Sequence, residues 1–198
     1  MALTQYKKKR SFKDTPEPVG GKPSKTELRF VVQKHAASHL HYDFRLEMEG
    51  VLKSWAVPKG PSLNPADKRL AMMVEDHPYD YRNFEGIIPE GNYGAGTVIV
   101  WDEGNYSSLE PGTKKEQEKI LLKQLKAGSI KIIMNGEKLK GEFALVKLKD
   151  AKGNAWLLIK HNDDFAKTTD VTRKGRSVIS KKTLEQVART SKTIYGKK

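Results

Sequence analysis

The chain contains no cysteine among its 198 residues. Disulfides and thiolate metal sites are therefore excluded, and the absence agrees with a reducing compartment. No apolar run is long enough to cross a bilayer, and the opening "MALTQYKKKRSF" lacks the hydrophobic centre of a signal peptide. A cytoplasmic protein without a membrane partner is expected. There is no internal repeat of fixed period, and the glycine stretch "PEGNYGAGTVIVW" lacks the Gly-Lys-Ser/Thr ending of a phosphate loop and runs into a strand pattern. It reads as a turn.

What the chain has in excess is positive charge, +13 in all, and it sits at the ends. Residues 1–27 hold seven Lys/Arg against three Asp/Glu, residues 166–198 hold ten against two, and the middle carries only +1. Basic arms on a near-neutral body point to a polyanionic partner, because each phosphate neutralised releases counterions and the attraction is long-ranged. The length suits one domain with appendages. The expected division is a basic N-terminal arm (1–27), a body (28–165) and a basic C-terminal tail (166–198).

Within the body, polar and apolar residues alternate from His41: His41, Asp43, Arg45 and Glu47 against Tyr42, Phe44, Leu46 and Met48. That is the signature of a half-buried strand whose polar wall is a surface or a site. Glu49-Gly50 then reads as a hairpin tip, with "VLKSWAVP" returning as the partner strand. Strands are expected near 28–33, 41–48, 51–57, 69–75, 97–101, 129–134, 142–148 and 155–161. Eight short strands imply a mainly β fold, a small closed barrel with one or two helices. The clear helix is 113–127, opened by the capping box Thr113/Glu116 and closed by Gly128. A second, short helix is expected around 181–190. Trp55 and Trp101, on strands, read as core.

Histidine is scarce, at five, yet His35, His39 and His41 cluster, His77 follows the strand "RLAMMVE" and His161 ends the last one. A divalent ion could take Asp43 with either His35 or His41, and His77 could close the set from a neighbouring strand end. Two imidazoles and one carboxylate suit Mn, Fe or Zn better than Ca or Mg and leave coordination positions open. His39 and His161 read as ordinary surface or core histidines. Arg45 shares a strand face with His41 and Asp43, where its planar fork could clamp a phosphate beside a cation. Tyr81, in "EDHPYDYRNFEG", could hydrogen-bond the same phosphate.

Taken together, "HxxxxxHxDxRLEMEGVLKSWAVPKGPS", "EDHPYDYxxFEGIIPEGNYGAGTVIVWD" and "WLLIKH" resemble the 3′-phosphoesterase domain of bacterial DNA ligase D and its stand-alone relatives, over about Arg10 to Phe165. The resemblance implies a small β-barrel with a polar groove and a manganese-dependent hydrolase, with Co2+ or Zn2+ as other candidate metals. It would act on DNA or RNA 3′ ends in strand-break repair, removing a terminal ribonucleoside and then the 3′-phosphate to leave a 3′-OH. By motif position it assigns the metal to His35, Asp43 and His77, and the scissile phosphate to His41 and Arg45 with Tyr81 assisting. Lys59, Arg69 and Arg10 fall at further phosphate contacts, and Gln33, Glu75 and Glu17 at supporting positions. The opening "KRSFKDTPEP" departs from the family pattern at Ser11, where an aspartate is usual. No ligase Lys-x-Asp-Gly motif occurs, so a stand-alone enzyme or an excised module is expected, with nucleic acid and a DNA ligase of the same pathway as partners. The competing expectations are a catalytically silent nucleic-acid-binding barrel using Trp55 or Trp101 as stacking platforms, and a non-haem iron oxygenase built on His41, Asp43 and His77.

Overall fold

A computed structural model describes residues 3–149 and 153–190, and among these it shows ten strands and three α-helices. The strands are β1 (Leu28–Ala36), β2 (Leu40–Met48), β3 (Val51–Val57), β4 (Lys68–Met73), β5 (His77–Pro78), β6 (Gly86–Ile88), β7 (Gly96–Ser108), β8 (Ser129–Gly136), β9 (Lys140–Lys147) and β10 (Ala155–Lys160). The helices are α1 (Thr4–Lys8), α2 (Lys114–Ala127) and α3 (Leu184–Arg189). Eight strands run antiparallel in the order β1-β2-β3-β4-β10-β9-β8-β7, and β7 pairs back onto β1, closing the expected mainly β barrel. The short β5 and β6 hang on β3 and β7 outside the ring.

The alternation along β2 sorts its side chains between two faces. Tyr42, Phe44, Leu46 and Met48 fall into the barrel core with Phe30, Val32, Trp55, Trp101, Phe143 and Trp156. Trp55 and Trp101 are fully buried, so neither can serve as a stacking platform for a base. At the β2–β3 tip, Glu49 and Gly50 both take positive φ, 53° and 75°, which is what a two-residue hairpin needs to match strand twist. Helix α2 carries the expected capping box, with Gly128 left-handed beyond its end; a cap of this kind is worth ~1 kcal/mol.

Strand β7 runs seven residues past the expected end at Trp101, to Ser108. Its polar stretch stays in the ladder because Asp102 is fully buried and accepts the backbone N–H groups of Glu137, Lys138 and Leu139 at 2.8–3.0 Å, tying off the β8–β9 turn. Gly104 permits the close pairing there, since a Cβ would stand 2.1 Å from the Asn135 carbonyl.

Both basic ends are packed onto the barrel. Tyr6 of the arm is fully buried in a second apolar cluster outside the ring with Val31, Leu52, Tyr79, Tyr81, Phe84, Ile88, Val98 and Val100. Leu184 and Val187 of α3 cover Ile99 on β7, which gives the short C-terminal helix a packing role that its basic composition concealed. Residues 1–2 of the expected arm and 191–198 of the expected tail lie outside the described residues.

Candidate metal and phosphate site

The site is built on the outer face of β1, β2 and β3. Pairing of β1 with β2 sets Gln33 opposite Asp43 and His35 opposite His41, so alternate residues of the two strands share one wall. The arm residues up to Glu17 and the segment from Glu75 to Phe84 roof this wall, leaving a cleft of about 290 Å³ lined by Arg10, His35, His41, Asp43, Arg45, Glu75, His77, Tyr81 and Tyr93.

At the centre are His35, His41 and Asp43, each offering one ligand atom within 4.8 Å of the other two. The imidazole rings stand 4.7 Å apart, His35 Nδ1 is 3.6 Å from Asp43 Oδ2, and His41 Nε2 is 3.8 Å from Asp43 Oδ1. Atoms bound to one ion at ~2.1 Å stand roughly 3.0–3.4 Å from each other, so a small contraction would close the set. His41 Nδ1 lies 2.9 Å from the His39 carbonyl, which only accepts. That bond fixes the tautomer and leaves the Nε2 lone pair turned towards a carboxylate. An imidazole nitrogen and a carboxylate oxygen so placed can share one cation. His35 Nε2 is buried and has no partner, a second sign of an unmet demand for a ligand. The donor set therefore fits a divalent transition metal.

Asp43 is held by Arg45, whose Nη2 donates at 3.1 Å. Burial alone would raise the Asp43 carboxyl, but Arg45 and the two imidazoles outweigh it and hold it well below the usual carboxylate range. The guanidinium is fixed on its other edges by Gln33 Oε1 at 2.8 Å and Ser54 Oγ at 2.9 Å, over the face of Tyr81. Gln33 is in turn locked by donating to the carbonyls of Tyr81 and Phe84. These buried partners set Arg45's planar fork in place before any ligand arrives.

Within 4.8 Å the structure groups His35 and Asp43 of the expected metal set with His41, and His77, the third expected ligand, is not in that group. His77 lines the same cleft, but its Nδ1 donates to the Glu75 carbonyl at 2.9 Å and its Nε2 faces Arg10 Nη2 at 3.2 Å. Both ring nitrogens are engaged. Burial, and then the cationic Arg45 and Arg10, push its pKa well below the ordinary histidine value, so the ring is neutral at neutral pH. His41, expected at the phosphate, stands beside His35 and Asp43 in that compact donor group. Reading β2 alone could not separate these histidines, because the choice depends on where residues 75–84 cross the wall.

Arg10 reaches the site from the arm, paired with buried Glu17 at 2.8 Å and with Glu75 at 3.2 Å, its guanidinium 4.0 Å from the centre of the Tyr6 ring. Glu17 also accepts from the Tyr81 hydroxyl at 2.9 Å. Burial and the Glu17 charge push the Tyr81 phenol well above its ordinary value, so it stays a donor. Ser11 points elsewhere: it is exposed and donates to Asp14 at 2.6 Å. Lys59 and Arg69 are not brought to the cleft; Lys59 is exposed, and Arg69 pairs with Asp67 at 2.9 Å. Two contributors went unnoticed in the sequence. Ser54 could have been found from its alternation with Trp55 on β3, whereas Tyr93 was hidden inside a glycine-rich turn.

Residues 33–147 match the family model described as the DNA Ligase D 3′-phosphoesterase domain. The chain is 48% identical over 190 residues to the multifunctional non-homologous end joining protein LigD of Pseudomonas aeruginosa, covering 92% of this chain and 22% of that protein. It is 41% identical over 163 residues to the protein of the same name from Mycolicibacterium smegmatis, covering 81% of this chain and 21% of that one. The LigD of Mycobacterium tuberculosis is 41% identical over 157 residues, covering 78% of this chain and 19% of its own. The chain thus spans about a fifth of the length of these curated relatives.

Proposed function

This chain belongs to the DNA ligase D 3′-phosphoesterase domain family, and we propose that its roofed cleft is a metal-dependent phosphoesterase site that heals nucleic-acid 3′ ends in double-strand-break repair by end joining. The reading is carried by one observation: a three-ligand cation group, His35, His41 and Asp43, meets two positioned guanidiniums in one cleft. Phosphate is the ligand that such a set suits, since its oxygens can be shared between a cation and planar N–H forks. The metal is proposed to be Mn2+, with Co2+ and Zn2+ as substitutes. When bound it would supply positive charge against a non-bridging phosphate oxygen.

In this reading Arg45 and Arg10 grip the phosphate from two sides and neutralise the charge that builds on its oxygens as the ester bond breaks. Tyr81, through Glu17, keeps Arg10 in place. Burial, and after it the charges of Arg45 and Arg10, keep His77 neutral. A bound phosphate adds negative charge beside it and favours its protonated form, so that Nε2 can take a proton from water and pass it to the leaving oxygen as a water molecule adds to phosphorus. The proposed substrates are a 3′-terminal ribonucleoside, released as the first product, and the 3′-phosphate left behind, removed in the second step to leave a 3′-OH for a DNA ligase. The site of action is the cytoplasm; no described helix is long and apolar enough to cross a membrane. The oxygenase reading is disfavoured by His77, whose ring nitrogens are taken by Glu75 and Arg10.

The test is an assay with manganese and a primer-template ending in one 3′ ribonucleotide. The expected result is a primer shortened by one nucleoside and then dephosphorylated, with both steps lost in His35→Ala and His41→Ala. Unchanged primer ends with folded, manganese-saturated protein would overturn the proposal.

A further inference from the structure

We propose that Tyr93 is the platform on which the base of the departing 3′-terminal nucleoside stacks, an inference that rests on the function proposed above. The other tyrosines beside the cleft are packed away: Tyr6, Tyr79 and Tyr81 are at most 5% exposed, whereas Tyr93 lines the same cleft and is 48% exposed. An aromatic ring left half open at the mouth of a cationic cleft, with no core to fill, is what base stacking uses. Interleaved aromatics and cations bind single-stranded ends in this way irrespective of base identity.

The position of the ring is fixed by the turn between β6 and β7. Gly96, at φ +143°, runs so close to the end of β1 that a Cβ there would stand 2.2 Å from the Ala36 carbonyl oxygen. Gly94, at φ +78°, lies against the neighbouring ligand, its Cβ position 3.9 Å from His35 Cε1. The glycines thus press the turn onto β1 and hold Tyr93 at the His35 side of the cleft. Its ring is oriented from the arm. Lys9 Nζ donates to the phenol oxygen at 3.4 Å and lies 4.6 Å from the ring centre, and the Arg10 guanidinium lies 5.4 Å away. Lys9 is itself anchored by Glu75 at 3.0 Å. A phosphate held by Arg10 and Arg45 therefore brings the attached nucleoside beside a preset, exposed aromatic surface.

The prediction separates the two reaction steps, because only the first has a base on the departing side. Tyr93→Ala is expected to raise KM about 10-fold for a ribonucleoside-ended primer. The 3′-phosphate-ended primer should be processed as by wild type, and Tyr93→Phe and Tyr93→Trp should retain the wild-type KM. A primer whose terminal ribose lacks its base should suffer the same loss with wild type and no further loss with Tyr93→Ala. Equal losses on both kinds of end would show that the ring acts only by shielding Arg10, and would overturn the proposal, as would an abasic end bound as well as a base-bearing one. Fluorescence anisotropy of the same primers without added metal reads binding apart from turnover. If wild type cleaves neither end, the phosphoesterase reading fails, and the anisotropy difference between base-bearing and abasic ends, present in wild type and absent in Tyr93→Ala, still decides the stacking.

Discussion

The inner and outer faces of β1, β2 and β3 are both largely shielded from water, yet around the cleft their chemistry differs sharply. Inside the ring, Phe30, Val32, Phe44, Leu46 and Trp55 make a continuous apolar core. Outside, Gln33, His35, Asp43, Arg45 and Ser54 are all at most 8% exposed, yet every one is polar, and Asp43 and Arg45 are charged. The inner face is closed by the ring itself, whereas the outer one is closed by an arm and an excursion borrowed from elsewhere in the chain. Scaffold and site are therefore stabilised by different parts of the molecule, and should respond separately to substitution.

The largest expected effect is on the inner face. Trp55→Ala should cost about 3–5 kcal/mol in a denaturant titration, because a fully buried indole is replaced by a cavity. His35→Leu, two strands away on the outer face, should change the stability of the metal-free protein by less than about 1 kcal/mol, since Asp43 keeps Arg45 at 3.1 Å, the lost Nδ1 contact is long at 3.6 Å, and Nε2 has no partner. A drop comparable to that of Trp55→Ala would break the comparison.

Metal addition sharpens it next. Manganese at a hundredfold excess over Kd should stabilise the wild type by about 2.7 kcal/mol, seen as a rise in Tm. The rise should vanish in His35→Leu and His41→Leu and persist in His77→Gln. A vanished rise in His77→Gln would restore His77 to the metal set.

A smaller effect concerns acid. The folded-state pKa of His77 is depressed while the unfolded value is ordinary, so below about pH 6.5 the unfolded chain binds the extra proton and stability is lost as pH falls. This single group should contribute a slope of up to about 1.4 kcal/mol per pH unit, and His77→Gln should flatten it in thermal melts. An unchanged slope would mean that other groups control the acid limb. The smallest effect is expected at Ser11: Ser11→Ala should shift stability by less than about 0.5 kcal/mol and leave turnover within twofold, because the side chain is exposed and bonds only to Asp14.

What was legible in the sequence follows the same division. Alternation along 41–48 displayed both faces of β2 before any coordinates, because a strand has period two and each face has its own solvent. The Glu49-Gly50 tip and the Thr113 cap were equally plain, being local backbone chemistry. Contacts across long separations were invisible to pattern. Glu17 meets Tyr81 from 64 residues away, and Arg10 meets His77 across 67, so neither carries a periodic signal. Their motif positions marked Arg10 as a phosphate contact and Glu17 as supporting without saying which residues of the chain they touch. The choice between His41 and His77 was out of reach for the same reason: the setting of His77 depends on the Glu75 carbonyl and the Arg10 guanidinium. Tyr93 and the extension of β7 were concealed by glycines, which read as punctuation but here mark places where two backbones nearly touch.

The closure of β7 onto β1 has a further consequence. The ring itself has no free edge, so a visiting strand could extend a ladder only at the short β5 or β6. Selectivity is then confined to the arm, the 75–84 crossing and the 89–96 turn, all of which can diverge in sequence without loosening a single rung of the barrel.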